Sequence, residues 1–217
     1  MSNPLASKKT QSWNKGKLMG QKSPLKAQQV WAIRTRLQIA DNKRDLALLN
    51  LALDSKLRGC DLLNLKVSDL FIGGEIQHRA KIVQKKTGNS VQFEITSPTR
   101  EAICDWVSVS WLEHHDWLFP SRKNQSAKMT TRQYSRLVKS WVHSIGLSRS
   151  AFGTHSLRRT KATMIYRKTG NLRAVQLLLG HEKIDSTVKY LGVEVEDALA
   201  LSESCLLYTS PSPRDRG

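Results

Sequence analysis

Apolar residues recur at helical spacing through the first part of the chain and predict two helices. Ser23-Pro24 is a helix start signal, and Val30, Ile33 and Leu37 follow it at helical intervals. A second helix is predicted over about residues 42–57, with four leucines on one side: Leu46, Leu49, Leu53 and Leu57. Gly59 interrupts this pattern, and residues 61–65 are typical of a further short helix.

The middle of the chain changes to the period of a strand. Residues 91–95, Val-Gln-Phe-Glu-Ile, alternate strictly between apolar and polar, as a half-buried strand does. Residues 76–83 are a suitable partner strand, with a turn over Lys86-Thr87-Gly88-Asn89. We therefore expect a small antiparallel sheet or hairpin here.

Helical patterns return after the sheet. Ser97-Pro98 begins one that runs to about Trp111. Another starts at Thr130 or Thr131, ends at Gly146, and has five inward positions: Tyr134, Leu137, Val138, Trp141 and Ile145. Three more are predicted, capped by Thr154, Asn171 and Asp185, with Gly170 and Gly180 ending the first two. The fold class is therefore α+β and mainly α-helical.

Charge narrows the possible partners. The chain has 35 Lys+Arg against 18 Asp+Glu, a formal net charge of +17. Such an excess favours a polyanion, most simply nucleic acid, with an acidic membrane surface as the alternative. No apolar run approaches the roughly 18 residues that span a bilayer, and no signal peptide pattern is present. We expect a soluble protein of the cytoplasm, associated with the nucleoid.

The two ends differ from the rest of the chain. Residues 1–23 hold five lysines and no acid, which predicts a disordered basic arm that either contacts nucleic acid or is only solvated. Residues 205–217 have no period and an abrupt change of composition, so we interpret them as an artefactual tail. The folded domain is predicted over residues 24–204. Cys60, Cys104 and Cys205 are far apart and show no zinc or disulfide spacing, and the first two are interpreted as small buried residues.

Six residues form a candidate phosphate site: Arg58, Lys86, His155, Arg158, His181 and Tyr190. Guanidinium groups match phosphate oxygens in charge and shape, histidines transfer protons near neutral pH, and a tyrosine oxygen becomes a nucleophile when neighbours activate it. His155 and Arg158 share a face near a helix start, where the helix dipole also favours phosphate. Arg159 points about a quarter-turn away, which suggests a structural role or a contact to a phosphate backbone.

Each of these residues has an ordinary alternative role when taken alone. Arg58 could complement a helix dipole, Lys86 could be a solvated turn residue, and Tyr190 could simply pack against the core. Their joint occurrence, in one order and within the sequence segments described next, favours a common site.

The residues that flank these positions resemble those of the tyrosine recombinases of the phage integrase family. The segment Leu57–Leu65 is similar to the family's first arginine box, and Lys85-Lys86-Thr87-Gly88 to its β-hairpin lysine. Thr154–Thr160 resembles the H-x-x-R box, and Leu177–His181 with Thr187–Tyr190 resembles the L-G-H…Y box. The resemblance covers about residues 25–200 and implies a catalytic domain of this type. Asp61 stands where the family often has glutamate.

The resemblance implies a chemistry and a partner. Tyr190 would attack a DNA phosphodiester to form a 3′-phosphotyrosine, with Arg58, Arg158 and His181 on the non-bridging oxygens. His155 would assist proton transfer and Lys86 would protonate the leaving 5′-oxygen. No cofactor or metal is required, and the partners are double-stranded DNA and further copies of the chain, as a tetramer on paired sites. Residues 1–24 are too few for the separate helical domain that family members have ahead of this one.

Two other functions remain compatible with the same residues. A type IB topoisomerase-like enzyme would use this chemistry on one strand without exchange, and a non-catalytic DNA-binding regulator would bind without cleaving. A metal-dependent nuclease is disfavoured, because no Asp/Glu cluster with histidine at ligand spacing is present.

Overall fold

The computed structural model describes residues 22–124, 126–192 and 203. Most of this part of the chain is helical, as expected for a mainly α-helical α+β fold. The helices are α1 (Ala27–Ile39), α2 (Lys43–Ser55), α3 (Gly59–Leu62), α4 (Ser97–Val109), α5 (Thr131–Ser144), α6 (Thr154–Thr169), α7 (Leu172–Leu179) and α8 (Ile184–Leu191). The strands are β1 (Phe71–Ile72), β2 (Glu75–Ile76), β3 (Arg79–Val83) and β4 (Ser90–Glu94).

Helix α2 is the centre of the fold. It contacts α1, α4, α6 and β4, and every residue from Ala47 to Ser55 is buried. The predicted helix is confirmed, and the faces without the four leucines are buried as well, because other elements surround it. Burying each of its leucines is worth about 1.5–3 kcal/mol, so this helix contributes much of the stability of the domain.

The strands form two separate antiparallel pairs rather than one sheet. The predicted hairpin is confirmed as β3 with β4, in a register that pairs Arg79 with Glu94 and Val83 with Ser90. Residues 75–76 instead pair with 71–72 in a second two-stranded sheet, which the sequence pattern did not predict. The β3–β4 hairpin packs against α7, and its turn contains Lys86.

Several predicted helix starts were displaced. Helix α1 begins at Ala27 rather than at Pro24, since the backbone N–H of Leu25 donates to Thr160 Oγ1 (3.0 Å) and holds this stretch extended against α6. Thr154 is the first residue of α6, after Gly153, and Asp185 lies within the first turn of α8. The caps at Thr130 and Asn171 and the left-handed ends at Gly170 and Gly180 are confirmed.

A partly buried ionic cluster joins the end of α2, β4 and α6. Lys56 is 1 % exposed and its Nζ lies 3.0 Å from Glu94 Oε1, while Lys161 Nζ lies 2.6 Å from Glu94 Oε1 and 2.7 Å from Asp54 Oδ1. Burial raises the pKa of Glu94, but the charge of Lys56 and the hydrogen bond from Lys161 outweigh it, so the pKa is lowered overall. The cluster fixes the chain next to Arg58 relative to α6.

Two further predictions concern the cysteines and the ends. Cys60 and Cys104 are free and only half-buried, so their interpretation as buried residues was wrong. Residues 1–21 and 205–217 lie outside the described residues, as does Cys205. No helix in the described part of the chain is both long and apolar enough to cross a membrane.

Candidate active site

Two adjacent arginines lie buried in the first half of α6. Arg158 is 3 % exposed and its Nη2 donates to the carbonyl oxygen of Leu179 (2.8 Å). Arg159 is 7 % exposed and its Nη1 donates to the carbonyl oxygen of Lys22 (2.7 Å). The Nε–H of each is buried without a hydrogen-bond partner among the described residues. Such unpaired donors are costly to bury, which is typical of a site prepared for an anionic ligand.

The ring of Tyr190 packs against both guanidinium groups. Arg159 Cζ lies 4.8 Å and Arg158 Cζ 5.6 Å from the ring centroid, within the range of cation–π contacts. The ring of His181 meets it edge-on, with centroids 5.4 Å apart and an interplanar angle of 82°. The phenolic oxygen is buried and has no hydrogen-bond partner among the described residues. Tyr190 is therefore held against the basic residues with its oxygen unpaired.

The electrostatics of Tyr190 keep it protonated. Burial raises the pKa of the phenol to about 12, although the positive charges of Arg158, Arg159 and Arg58 act to lower it. A phenol with this pKa is almost wholly neutral at pH 7. If its oxygen is to act as a nucleophile, another group has to accept the proton.

His181 lies at the turn between α7 and α8. Its Nδ1 is 3.1 Å from Thr187 Oγ1, and Thr187 is fully buried. The side chain of Gln176 holds the turn, since Nε2 donates to the carbonyl oxygens of His181 (3.0 Å) and Glu182 (2.9 Å). Burial, followed by the charges of Arg158 and Arg58, lowers the pKa of His181 to about 4. This imidazole is neutral at physiological pH.

His155 lies in the first turn of α6 and remains exposed. Its pKa is lowered from the ordinary value, first by partial desolvation of the ring and then by neighbouring positive charges, those of Arg158, Arg159, Arg58 and Lys86. The neutral form, which can accept a proton, therefore predominates at pH 7.

Arg58 and Lys86 come from two other segments of the chain. Arg58 is half-buried in the segment between α2 and α3, where its Nη1 donates to Gln84 Oε1. The helix predicted over about residues 42–57 ends earlier, at Ser55, since Lys56 adopts a left-handed conformation that terminates α2. Lys86 is exposed in the β3–β4 turn, and the backbone N–H of Lys85 donates to Asp61 Oδ1 (2.9 Å), which ties the hairpin to α3.

The structure thus brings the six predicted residues into one region. The charge of Arg58 acts on the pKa values of Tyr190, His181 and His155, and the charge of Lys86 acts on that of His155. Arg159, expected to point away, instead contacts the Tyr190 ring. No group of three or more His, Cys, Asp or Glu within the described ranges could hold a metal ion.

Sequence reasoning missed Gln84, Gln176 and Thr187, which hold the predicted residues. A signal existed for Gln84, because alternation along β3 puts it on the same face as Ala80 and Ile82, which are buried and half-buried. Thr187 and Gln176 had no comparable signal, since their partners lie across the turn between α7 and α8.

Comparison with known proteins agrees with this arrangement. The model of the phage integrase family matches residues 21–196, which is most of the chain. The chain belongs to the phage integrase family. A tyrosine recombinase of Pseudothermotoga lettingae is 30 % identical over 152 residues, which cover 70 % of this chain and 50 % of the relative. The tyrosine recombinase XerD of Yersinia pestis is 29 % identical over 163 residues, which cover 70 % and 51 %. The chain thus spans about half the length of these curated relatives.

Solved structures of the family show the same fold. The crystal structure of XerA recombinase superimposes with a TM-score of 0.71 at 19 % identity, covering 87 % of this chain and 67 % of that one. The XerH recombinase in a post-cleavage complex with its difH substrate gives a TM-score of 0.66 at 21 % identity, covering 87 % and 54 %. The fold expected for a tyrosine recombinase catalytic domain is therefore confirmed.

Proposed function

We propose that this chain is the catalytic part of a site-specific DNA recombinase, which cleaves and rejoins DNA through a 3′-phosphotyrosine. The observation that supports this most is the position of Tyr190, whose ring packs on Arg158, Arg159 and His181 while its buried oxygen is unpaired. A neutral phenol among cations suits attack on a phosphodiester, because the cations stabilise the charge that develops on the phosphate.

In this proposal three residues bind the non-bridging oxygens of the scissile phosphate. Arg58 and Arg158 come from segments distant in the chain and supply fixed positive charge. His181 supplies a neutral N–H. If the hydroxyl of Thr187 donates to Nδ1 of His181, the ring proton lies on Nε2, which is then the donor to the phosphate. Because these groups are held in place before DNA binds, they need little rearrangement in the transition state.

Two further residues move the protons. His155 accepts the proton of Tyr190 as the new O–P bond forms, and its lowered pKa leaves it neutral for this task. Lys86 donates a proton to the 5′-oxygen as the old P–O bond breaks. The covalent intermediate retains the bond energy of the phosphodiester, so a 5′-hydroxyl from another strand can reverse both steps. Since the Tyr190 oxygen is buried, we propose that Tyr190 shifts when DNA enters.

The partners are part of the same proposal. The net charge of +17 and the exposed Lys86 support double-stranded DNA as the substrate, and strand exchange between two sites requires several copies, a tetramer by the family resemblance. Structures similar in fold include one of a lambda integrase dimer bound to a core site. We propose that the protein acts at the nucleoid in the cytoplasm. We propose that the catalytic domain of this recombinase covers residues 24–204.

The test is covalent capture of DNA by the full chain. Duplexes that are nicked close to the cleavage position lose a short fragment on cleavage and trap the phosphotyrosine. We expect a denaturation-resistant adduct with the unsubstituted chain, none with Tyr190→Phe, and a normal yield with Tyr166→Phe. Tyr166 is a matched control because it is half-buried in the same apolar cluster. An adduct that persists in Tyr190→Phe would refute the assignment of the nucleophile.

A further inference from the structure

Gln84 is a buried polar residue beside Arg58 in the candidate site. It follows β3 at the base of the hairpin that ends in Lys86, and it is only 1 % exposed. A buried amide is unfavourable unless its donors and acceptor are satisfied, so its partners indicate why it is there.

The partners of Gln84 lead to both arginines of the proposed phosphate site. Its Oε1 accepts from Arg58 Nη1 and from Thr87 Oγ1 (3.0 Å), and its Nε2 donates to the carbonyl oxygen of Leu179 (3.3 Å). The same carbonyl oxygen accepts from Arg158 Nη2 (2.8 Å). The two guanidinium groups are therefore fixed to one atom at the end of α7, Arg158 directly and Arg58 through Gln84.

The glycine that follows Leu179 allows this contact. Gly180 has φ +66°, and a Cβ built there would lie 2.5 Å from Val91 Cγ2 and 3.1 Å from Gln84 Nε2. Any larger residue would push the end of α7 away from the hairpin. The close approach of Gly180 and the hydrogen bonds of Gln84 thus belong to one arrangement that joins α7 to the hairpin.

We propose that Gln84 is a positioning residue that sets the guanidinium of Arg58 for the scissile phosphate. This inference rests on the proposed function. The chemistry favours an amide over a carboxylate, because a neutral acceptor orients Arg58 without neutralising the charge that the phosphate needs. In the described part of the chain no carboxylate lies within ion-pair distance of Arg58. The side-chain group that accepts a hydrogen bond from its guanidinium is the amide of Gln84.

The first test compares Gln84→Leu and Gln84→Glu with Gln92→Leu, an exposed control on β4. The measured quantity is the first-order rate of covalent adduct formation at saturating nicked DNA. We expect Gln84→Leu to react about 10- to 100-fold more slowly, as for loss of a hydrogen bond to a charged group. Gln84→Glu should be slowed to a similar extent for a different reason, because its carboxylate neutralises Arg58, and Gln92→Leu should react normally. Thermal melting checks folding, and if Gln84→Leu is poorly folded, the nearly isosteric Gln84→Glu supplies the same comparison.

A double-mutant cycle shows whether Gln84 acts through Arg58. In an Arg58→Lys background, we expect Gln84→Leu to cost less than about 3-fold, since the group it positions is already lost. Additive effects would overturn the inference, because they would mean that Gln84 works independently of Arg58.

A modified substrate shows whether Gln84 acts through Arg58 or through the proton donor Lys86. When sulphur replaces the bridging 5′-oxygen, the P–S bond breaks to release a thiolate that needs no proton, so the defect of Lys86→Ala should be relieved. We expect the defect of Gln84→Leu to persist. Relief of that defect, or normal rates in both Gln84 variants beside an active unsubstituted chain, would overturn the inference alone. Absence of any adduct with the unsubstituted chain would overturn the proposed function and this inference together.

Discussion

Replacing Arg158 by methionine should separate stability from activity. Arg158 is 3 % exposed, its Nε–H is unpaired in the described structure, and burial lowers its pKa. The charge of Arg58 adds repulsion, and Asp61 is the carboxylate that opposes it. Methionine keeps much of the length of the side chain and removes the charge. Arg158 is thus a residue whose burial costs free energy in the absence of DNA.

The two effects can be sized from these contacts. Removing a desolvated cation regains part of a penalty of several kcal/mol, while the lost hydrogen bond to Leu179 costs about 1–3 kcal/mol. We therefore expect the free energy of unfolding of Arg158→Met to stay within about 1 kcal/mol of the original value, or to rise. The loss of a donor to the transition state should cost about 2.7–4 kcal/mol, which slows adduct formation by roughly 100- to 1,000-fold.

The assay combines urea denaturation with adduct formation on nicked DNA at saturating protein. A decrease in unfolding free energy of more than about 3 kcal/mol, as large as that of a core truncation, would show that Arg158 is chiefly structural. A normal adduct rate would refute its proposed role on the phosphate. Either result would contradict the reasoning, since the account requires a stability that is not substantially reduced together with lost activity in the same variant.

Four further outcomes are expected. Leu51→Ala, in the fully buried centre of α2, should lower the unfolding free energy by about 2–5 kcal/mol in urea denaturation. Thr187→Val removes the hydrogen bond to His181 Nδ1, worth about 0.5–1.5 kcal/mol, and should slow adduct formation by about 2- to 10-fold with little change in DNA affinity. The adduct rate should be flat above pH 7 and fall as the pH drops through the lowered pKa of His155, because the protonated ring no longer accepts the proton of Tyr190; a rate that keeps rising to pH 9 would contradict this. DNA affinity measured between 50 and 200 mM salt should fall by roughly 10³ to 10⁵ if six to ten phosphates are neutralised, and a flat response would argue against extensive backbone contact.

The helices and the hairpin could be predicted from the sequence because the residues that begin and end them lie within or next to each element. Thr130 and Asn171 cap α5 and α7 through their own side chains, and Gly170 and Gly180 supply the left-handed ends. The start of α1 was missed because Leu25 is held by Thr160, a residue 135 positions away that no local pattern includes. The burial of α2 on all sides likewise depends on elements distant in the chain.

The sequence was enough to propose which residues belong to the candidate site, but it did not show which of their side chains contact one another. Order and flanking residues selected six candidates that the structure brings into one region, but the chain alone could not show that Arg159 contacts the ring of Tyr190 or that Gln84 joins Arg58 to Leu179. Those contacts depend on how α6, α7 and the hairpin pack. The lowered pKa of His181 is also a tertiary effect, since burial and the arginines of two other segments, Arg158 and Arg58, cause it. The pKa of His155 is lowered first by burial and next by Arg158 and Arg159 on its own helix, with Arg58 and Lys86 adding the tertiary part.

The most direct measurement is to locate the nucleotide on the captured protein. The full chain would be reacted with nicked DNA, digested with protease and nuclease, and the modified peptide sequenced by mass spectrometry. The account predicts a nucleotide attached through its 3′-phosphate to the peptide that contains Tyr190, on the phenolic oxygen. A nucleotide on any other side chain, or one attached through a 5′-phosphate, would contradict it.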